Sequence, residues 1–213
     1  LTYSPSEKKS YQLSYSRCID RPGIGQVNPI KEWSTPLVSS YGNQKLLPQF
    51  TNSIEANYTR RLKKGSITGG VFFRAISNEI NRALYVDKSD VQSGKVILTH
   101  DNFDDTSAYG VELSSNYKPT KWWSFNTSVD LFSQTQKGIA ERLTAPIETA
   151  TVSDITTDIK EVDNVTWNFR IFNNFKASKA LTLTAFAFYK GKEKGLQFNT
   201  KPMYFVNLGA RYT

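Results

Sequence analysis

The chain has 213 residues, a formal net charge of +8, 38% hydrophobic residues and one cysteine, Cys18. It has no apolar run of the roughly 18 residues that a membrane-spanning helix needs, and a lone cysteine excludes an internal disulfide and a multi-cysteine zinc site. Its negative mean hydropathy does not exclude a membrane protein, because a transmembrane strand needs an apolar residue only at every second position.

Period-2 alternation recurs along the chain and predicts nine strands. Leu1 opens inside the first, "LTY", as a piece of a longer mature protein would. The second, 11–19, sets Tyr11, Leu13 and Tyr15 on one face. The third, about 51–61, sets Ile54, Ala56 and Tyr58 against Glu55, Asn57 and Thr59. The fourth, about 66–77, sets Ile67, Gly69, Val71 and Phe73 against Thr68, Gly70 and Arg74. The fifth, about 107–117, sets Tyr109, Val111, Leu113 and Tyr117 against Gly110, Glu112, Ser114 and Asn116. The sixth, about 122–134, sets Trp123, Phe125, Val129 and Leu131 against Asn126, Ser128 and Asp130. The seventh sets Val165, Trp167, Phe169 and Ile171 against Thr166, Asn168 and Arg170. The eighth aligns Leu181, Leu183, Ala185, Ala187 and Tyr189. The ninth, about 203–213, sets Tyr204, Val206, Leu208, Ala210 and Tyr212 against Asn207, Gly209 and Arg211. Helical periodicity is nearly absent; a short helix is expected only around "KGIAERL", 137–143.

Connections alternate in length. Four are short ("SPSEKKS", "LKKGS", "KPTKW", "KASKA"). Those between them, about 20–50, 78–106 and 135–163, are long, and the last, 190–202, is of middle length. The short turns carry lysines: Lys8 and Lys9, Lys63 and Lys64, Lys118 and Lys121, Lys176 and Lys179. The long connections carry most of the acids. This is the pattern of an antiparallel transmembrane β-barrel with short periplasmic turns and long extracellular loops. Lysines beside an anionic leaflet would gain about 1 kcal/mol each; ordinary solvated turns are the plainer reading.

The faces agree with a barrel. One is apolar in mid-strand, where an Arg or Lys would cost about 2–4 kcal/mol at the bilayer midplane. Its two cations, Arg17 and Arg60, sit near strand ends and can snorkel. Aromatics gather at strand ends (Tyr58, Tyr117, Trp122, Trp123, Tyr204, Tyr212), as an interfacial girdle requires. A soluble β-sandwich gives the same alternation but no one-sided loop lengths. Nine strands leave two open edges, which hydrocarbon does not tolerate, so the expectation is part of a larger barrel.

"YSRCIDRPGIGQVNP", 15–29, with "YGNQKLLPQFTNSIEANYTRRLKKGSITGGVFFRAISNEI", 41–80, resembles the barrel of TonB-dependent receptors, closest to the outer-membrane β-barrel family common in Bacteroidetes. Tyr15, Ser16, Arg17, Ile19, Arg21, Pro22, Asn28, Pro29, Gly42, Asn43, Leu46, Pro48 and Glu55 match its pattern, and 109–132 resembles its G-x-E strand and hairpin. Cys18, Gln44 and Gln49 depart from it. The resemblance implies an outer-membrane location and about nine strands of a roughly 22-stranded barrel, with residues 1–213 part of one barrel domain. A plug domain and the terminal strands would lie outside this chain. It also implies energy-coupled uptake of a nutrient such as a siderophore, glycan or peptide. The implied partners are outer-membrane lipid, the plug, a periplasmic TonB-type protein and a surface lipoprotein. A structural or adhesive barrel without import is the alternative within the same fold.

No nucleophile elbow, phosphate loop or paired-histidine motif is present, and no cofactor is implied. Lysines confined to turns do not make a nucleic-acid surface. Glu55, Arg74, Glu112, Asp130 and Arg170 are the candidate lumen residues: they could hold the plug, touch substrate, or form charge pairs between neighbouring strands. Asp101, Asp104 and Asp105 in "HDNFDD" offer clustered oxygens to a hard cation, although the spacing is not that of an EF-hand and a solvated acidic loop gives the same sequence. Cys18 is expected to be a small inward filler.

Overall fold

A computed structural model describes residues 1–212. In chain order the elements are β1 (Thr2–Ser6), β2 (Lys9–Asp20), the one-turn α1 (Ile24–Val27), β3 (Glu32–Thr35), β4 (Val38–Ser40), β5 (Gln49–Leu62), β6 (Gly65–Ser77), β7 (Glu79–Val86), β8 (Val96–Phe103), β9 (Thr106–Tyr117), β10 (Trp123–Leu143), β11 (Ile155–Lys176), β12 (Leu181–Lys190), β13 (Glu193–Lys194), β14 (Asn199–Thr200) and β15 (Met203–Tyr212). Nine of the strands form one antiparallel sheet in the order β1-β2-β5-β6-β9-β10-β11-β12-β15, with β1 and β15 as its edges. These are the nine expected strands; Thr213, the last residue of the ninth, lies outside the described residues.

Register carries each strand's apolar face onto its neighbour's. Tyr15 lies opposite Ile54, Ile54 opposite Phe73, and Phe73 opposite Tyr109. Further along, Val111 lies opposite Leu131, Leu131 opposite Trp167, and Ala185 opposite Leu208. A one-residue slip in any pair would turn a whole strand inside out, and none occurs among these pairs. The result is a continuous apolar face that no second layer covers: Leu208 is 81% exposed, Trp167 47% and Val129 36%. A sandwich would have buried these side chains between two sheets. A face this large stays out of water only in hydrocarbon or against a partner.

Aromatics bound this face at both ends. Tyr11 and Tyr58 meet near the short turns with tilted rings 4.9 Å apart, and Trp122 and Trp123 stack on Phe175 at 6.2 Å. Trp167 and Tyr189 stack at 4.4 Å toward the loops. Tyr109 and Tyr117 on β9 are separated by about 26 Å of strand. At the tilt of transmembrane strands that is about 20 Å of height, close to the apolar band of such barrels.

The long connections are more ordered than their sequences suggest. β3, β4, β8 and β7 form a second sheet in that order, with β4 and β8 parallel through Val38 opposite Val96. The expected helix at 137–143 is absent: this stretch continues β10. Gln136, Gly138 and Ala140 are buried while Lys137 and Ile139 are exposed, and that two-residue period overrides the helix propensity of "IAER". β10 and β11 run for 21 and 22 residues, about twice what crosses a membrane. The expected loop 135–163 therefore shrinks to 144–154, and the hairpin stands well clear of the girdle.

Candidate functional site

The opposite face of the nine-stranded sheet is polar and carries all five expected lumen residues, in two groups. Arg74 on β6 lies between Glu55 on β5 at 3.4 Å and Glu112 on β9 at 3.9 Å. Its guanidinium covers the Phe72 ring at 4.4 Å. Ser53 donates to Glu55 at 3.1 Å. Three strands from Arg74, Arg170 on β11 donates through Nε to Ser128 at 2.9 Å and stands 3.8 Å from Asp130. These pairs are half-exposed, a setting in which an ion pair contributes about 0–1 kcal/mol. They join neighbouring strands and do not converge on one point. Cys18, on the same face, is exposed.

The acidic trio is dispersed. Asp101 lies on β8, where Tyr85 donates to it at 2.5 Å and Asn43 at 3.4 Å. Burial, reinforced by that hydrogen bond to Asp101, pushes the Tyr85 phenol well above its ordinary range. Asp104 and Asp105 lie at the β8–β9 turn. Among the described residues no three His, Cys, Asp or Glu side chains are placed to hold a metal ion. His100 lies opposite Arg82; burial first, then that guanidinium, lowers its pKa.

The stretches that carry the family resemblance meet at the base of the loops. Gly42 donates to the Asn28 carbonyl at 2.6 Å and Asn43 to that of Gln26 at 2.8 Å. Asn102 ties the same loop to β8 through Leu47, donating at 3.0 Å and accepting at 2.7 Å.

Sequence reasoning missed a polar cavity of about 340 Å³ at the loop end of the polar face, lined by residues from β7, β8, β10, β11 and the β13–β14 hairpin. The lining comes from stretches far apart in the chain; the only local sign was the row of carboxamides, Gln134, Gln136 and Asn164, on the inward positions of two strands. A wider trough of about 880 Å³ lies on the apolar face, where Ala56 and Gly69 are small between Leu13 and Leu113; its lining offers almost no polar group.

An uncovered apolar face between two aromatic girdles, a polar reverse laced by ion pairs, and loop mass gathered at one end define the wall of an outer-membrane-type β-barrel. The chain belongs to the outer membrane protein beta-barrel family, whose model matches residues 1–213, and is thus an outer-membrane protein. No curated protein matches it. Among solved structures it is similar to a variant of the ferric enterobactin receptor PfeA of Pseudomonas aeruginosa (14% identity, TM-score 0.58, 100% of this chain and 31% of that one). It is also similar to the siderophore receptor PirA of Pseudomonas aeruginosa (14%, 0.53, 99% and 40%) and to the copper transporter OprC (10%, 0.50, 99% and 38%). All three are receptors or transporters, none an enzyme. At these identities the likeness is one of fold, and the chain spans less than half the length of each.

Proposed function

We propose that the chain is part of the wall of a TonB-dependent receptor, a barrel of roughly 22 strands, and serves energy-coupled uptake of a nutrient. The observation that carries this reading is the continuous apolar face over nine registered strands with an ion-paired polar face behind it. β1 and β15 would leave rows of unpaired backbone groups, each costing several kcal/mol in hydrocarbon, so neighbouring strands of the same protein complete them. The lysine-bearing turns face the periplasm and the second sheet faces outward. Glu55, Arg74, Glu112, Asp130 and Arg170 line the lumen against a plug domain of the same protein. That plug couples to a TonB-type protein, and a surface lipoprotein docks on the loop end. The reading requires no catalytic group and no cofactor.

The test compares wild-type and deletion strains in a defined mixture of ferric siderophores, oligosaccharides and peptides, with and without an uncoupler. Slower depletion of one class by the deletion strain, with the uncoupler abolishing the difference, is expected. Equal depletion of every class sinks the transport reading. The projecting β10–β11 hairpin then favours the second reading, a structural or adhesive barrel.

A further inference from the structure

The trough on the apolar face keeps a space that the chain's own packing does not require. It dips at Ala56 on β5 and Gly69 on β6, the third and fourth strands from the β1 edge, so it is not an edge effect. Elsewhere on the sheet glycine is forced: a Cβ on Gly110 would stand 2.5 Å from the Leu131 carbonyl oxygen. A Cβ on Gly69 meets only Leu113 Cδ1, at 4.0 Å. Glycine weakens a strand interior and often marks a place where something else comes close. A second hollow of about 520 Å³ shares Val71, Val111 and Leu131 with the first and carries it on toward Tyr109 and Val165. Together they form one groove that leads from the Tyr11–Tyr58 pair toward the loop end.

The turn end of this groove carries unbalanced charge. Tyr11 and Tyr58 lie directly opposite each other on β2 and β5, and the next pair on the same face toward the turns is Lys9 opposite Arg60. One pair follows the other by about 7 Å along the strands. Both cations are exposed. Like charges directly opposite in a ladder repel, yet neither Lys9 nor Arg60 enters an ion pair among the described residues. Glu7, the one acid in the four short turns, pairs with neither. Lys8, Lys63 and Lys64 in the adjoining turns add charge of the same sign. The pair is set to receive an anion from outside the chain.

Groove and cations together describe an amphiphile. The lining offers almost no polar group, which suits hydrocarbon and gives a sugar or a peptide nothing to bond. The tyrosine pair stands at the level where hydrocarbon gives way to headgroups. Beyond it, Lys9 and Arg60 present N–H donors that bind a phosphate by charge-assisted hydrogen bonds. A neutral lipid would fill the groove and leave the cations unpaired. We propose that this part of the wall binds one anionic phospholipid from the leaflet facing the turns, with an acyl chain in the dent over Ala56 and Gly69 and its phosphate between Lys9 and Arg60. The inference rests on the proposed wall with its turns toward the periplasm and is independent of what the barrel transports.

The test is native mass spectrometry of the full-length protein released from an amine-oxide detergent, with phosphatidylglycerol, phosphatidylethanolamine and lipid A as probes. Expected is retention of one phosphatidylglycerol in preference to phosphatidylethanolamine, weakened by about tenfold or more when Lys9→Gln and Arg60→Gln are combined. Gly69→Leu, which fills the dent without touching a charge, should weaken it too. Lys176→Gln with Lys179→Gln, at the distant β11–β12 turn, should leave it unchanged. Equal retention of the two phospholipids, or retention indifferent to Lys9, Arg60 and Gly69, overturns the site. Preference for lipid A overturns the phospholipid assignment, and a dimer that Gly69→Leu dissociates puts a second copy in the groove instead. Labelling intact cells with a membrane-impermeant amine reagent separates the proposal from the reading beneath it. Modification of Lys63 and Lys64 from outside sinks the orientation and the leaflet with it. Protected lysines with no preference for phosphatidylglycerol sink the lipid site and spare the orientation.

Discussion

Gly42 donates its N–H to the Asn28 carbonyl at 2.6 Å, and a Cβ built on Gly42 would stand 2.5 Å from the Asn28 nitrogen. Two motif residues fourteen positions apart thus close the base of the first long loop by a backbone approach that admits no side chain.

Gly42→Val should open this loop base, because the neighbouring atoms are backbone and cannot swing away. Overpacking of this kind costs about 1–3 kcal/mol. Trypsin should cut at Lys31 or Lys45 faster in the variant while the sheet stays intact. Unchanged cleavage would mean the approach is not tight.

Val129→Arg puts a guanidinium in the middle of the apolar face. If that face meets hydrocarbon, the cost is about 2–4 kcal/mol, read as a lower urea midpoint in phospholipid vesicles. Asn126→Arg, three residues away on the polar face and exposed, should be tolerated. Equal behaviour of the two would refute the assignment of faces.

Arg74→Met removes the cation that Glu55 and Glu112 share. The three side chains are partly exposed, so a double-mutant cycle between Arg74 and Glu55 should give a coupling of at most about 1 kcal/mol. A coupling of several kcal/mol would show that water is excluded around them.

His100 has a folded pKa below its unfolded value of about 6.5. At a pH just under 6.5 the unfolded chain therefore binds more protons. Stability contributed at this site is full above about pH 6.5 and falls as pH drops through the folded pKa. Amide exchange in β7 and β8 should accelerate over that interval, and His100→Gln should flatten the response. Asp87, whose carboxylate is held low chiefly by the Ser89 hydroxyl and N–H, gives a separate loss only below about pH 4.

The nine wall strands and their two faces were legible because each wall strand repeats one binary choice, and because Tyr, Trp and the turn lysines mark where that repeat stops. The charges of the polar face were legible for the same reason: Glu55, Arg74 and Arg170 fall on the wrong beat for the apolar side. The second sheet was not. β4 has three residues, too few for a period, and its parallel partner β8 lies more than fifty positions away. The extension of β10 was hidden by "KGIAERL", whose composition favours helix; what decides there is Gly138 under Leu196 and Phe103, a contact from two distant loops. The carboxamide cavity was invisible for the same reason.

The parallel pairing of β4 with β8 makes one body of two surface segments that the chain encodes separately. An insertion in either must preserve the alignment of Val38 with Val96 or tear both from their seat. Changes of length are thereby steered toward the tips at residues 87–95 and the 144–154 bend, where no pairing of strand with strand is interrupted.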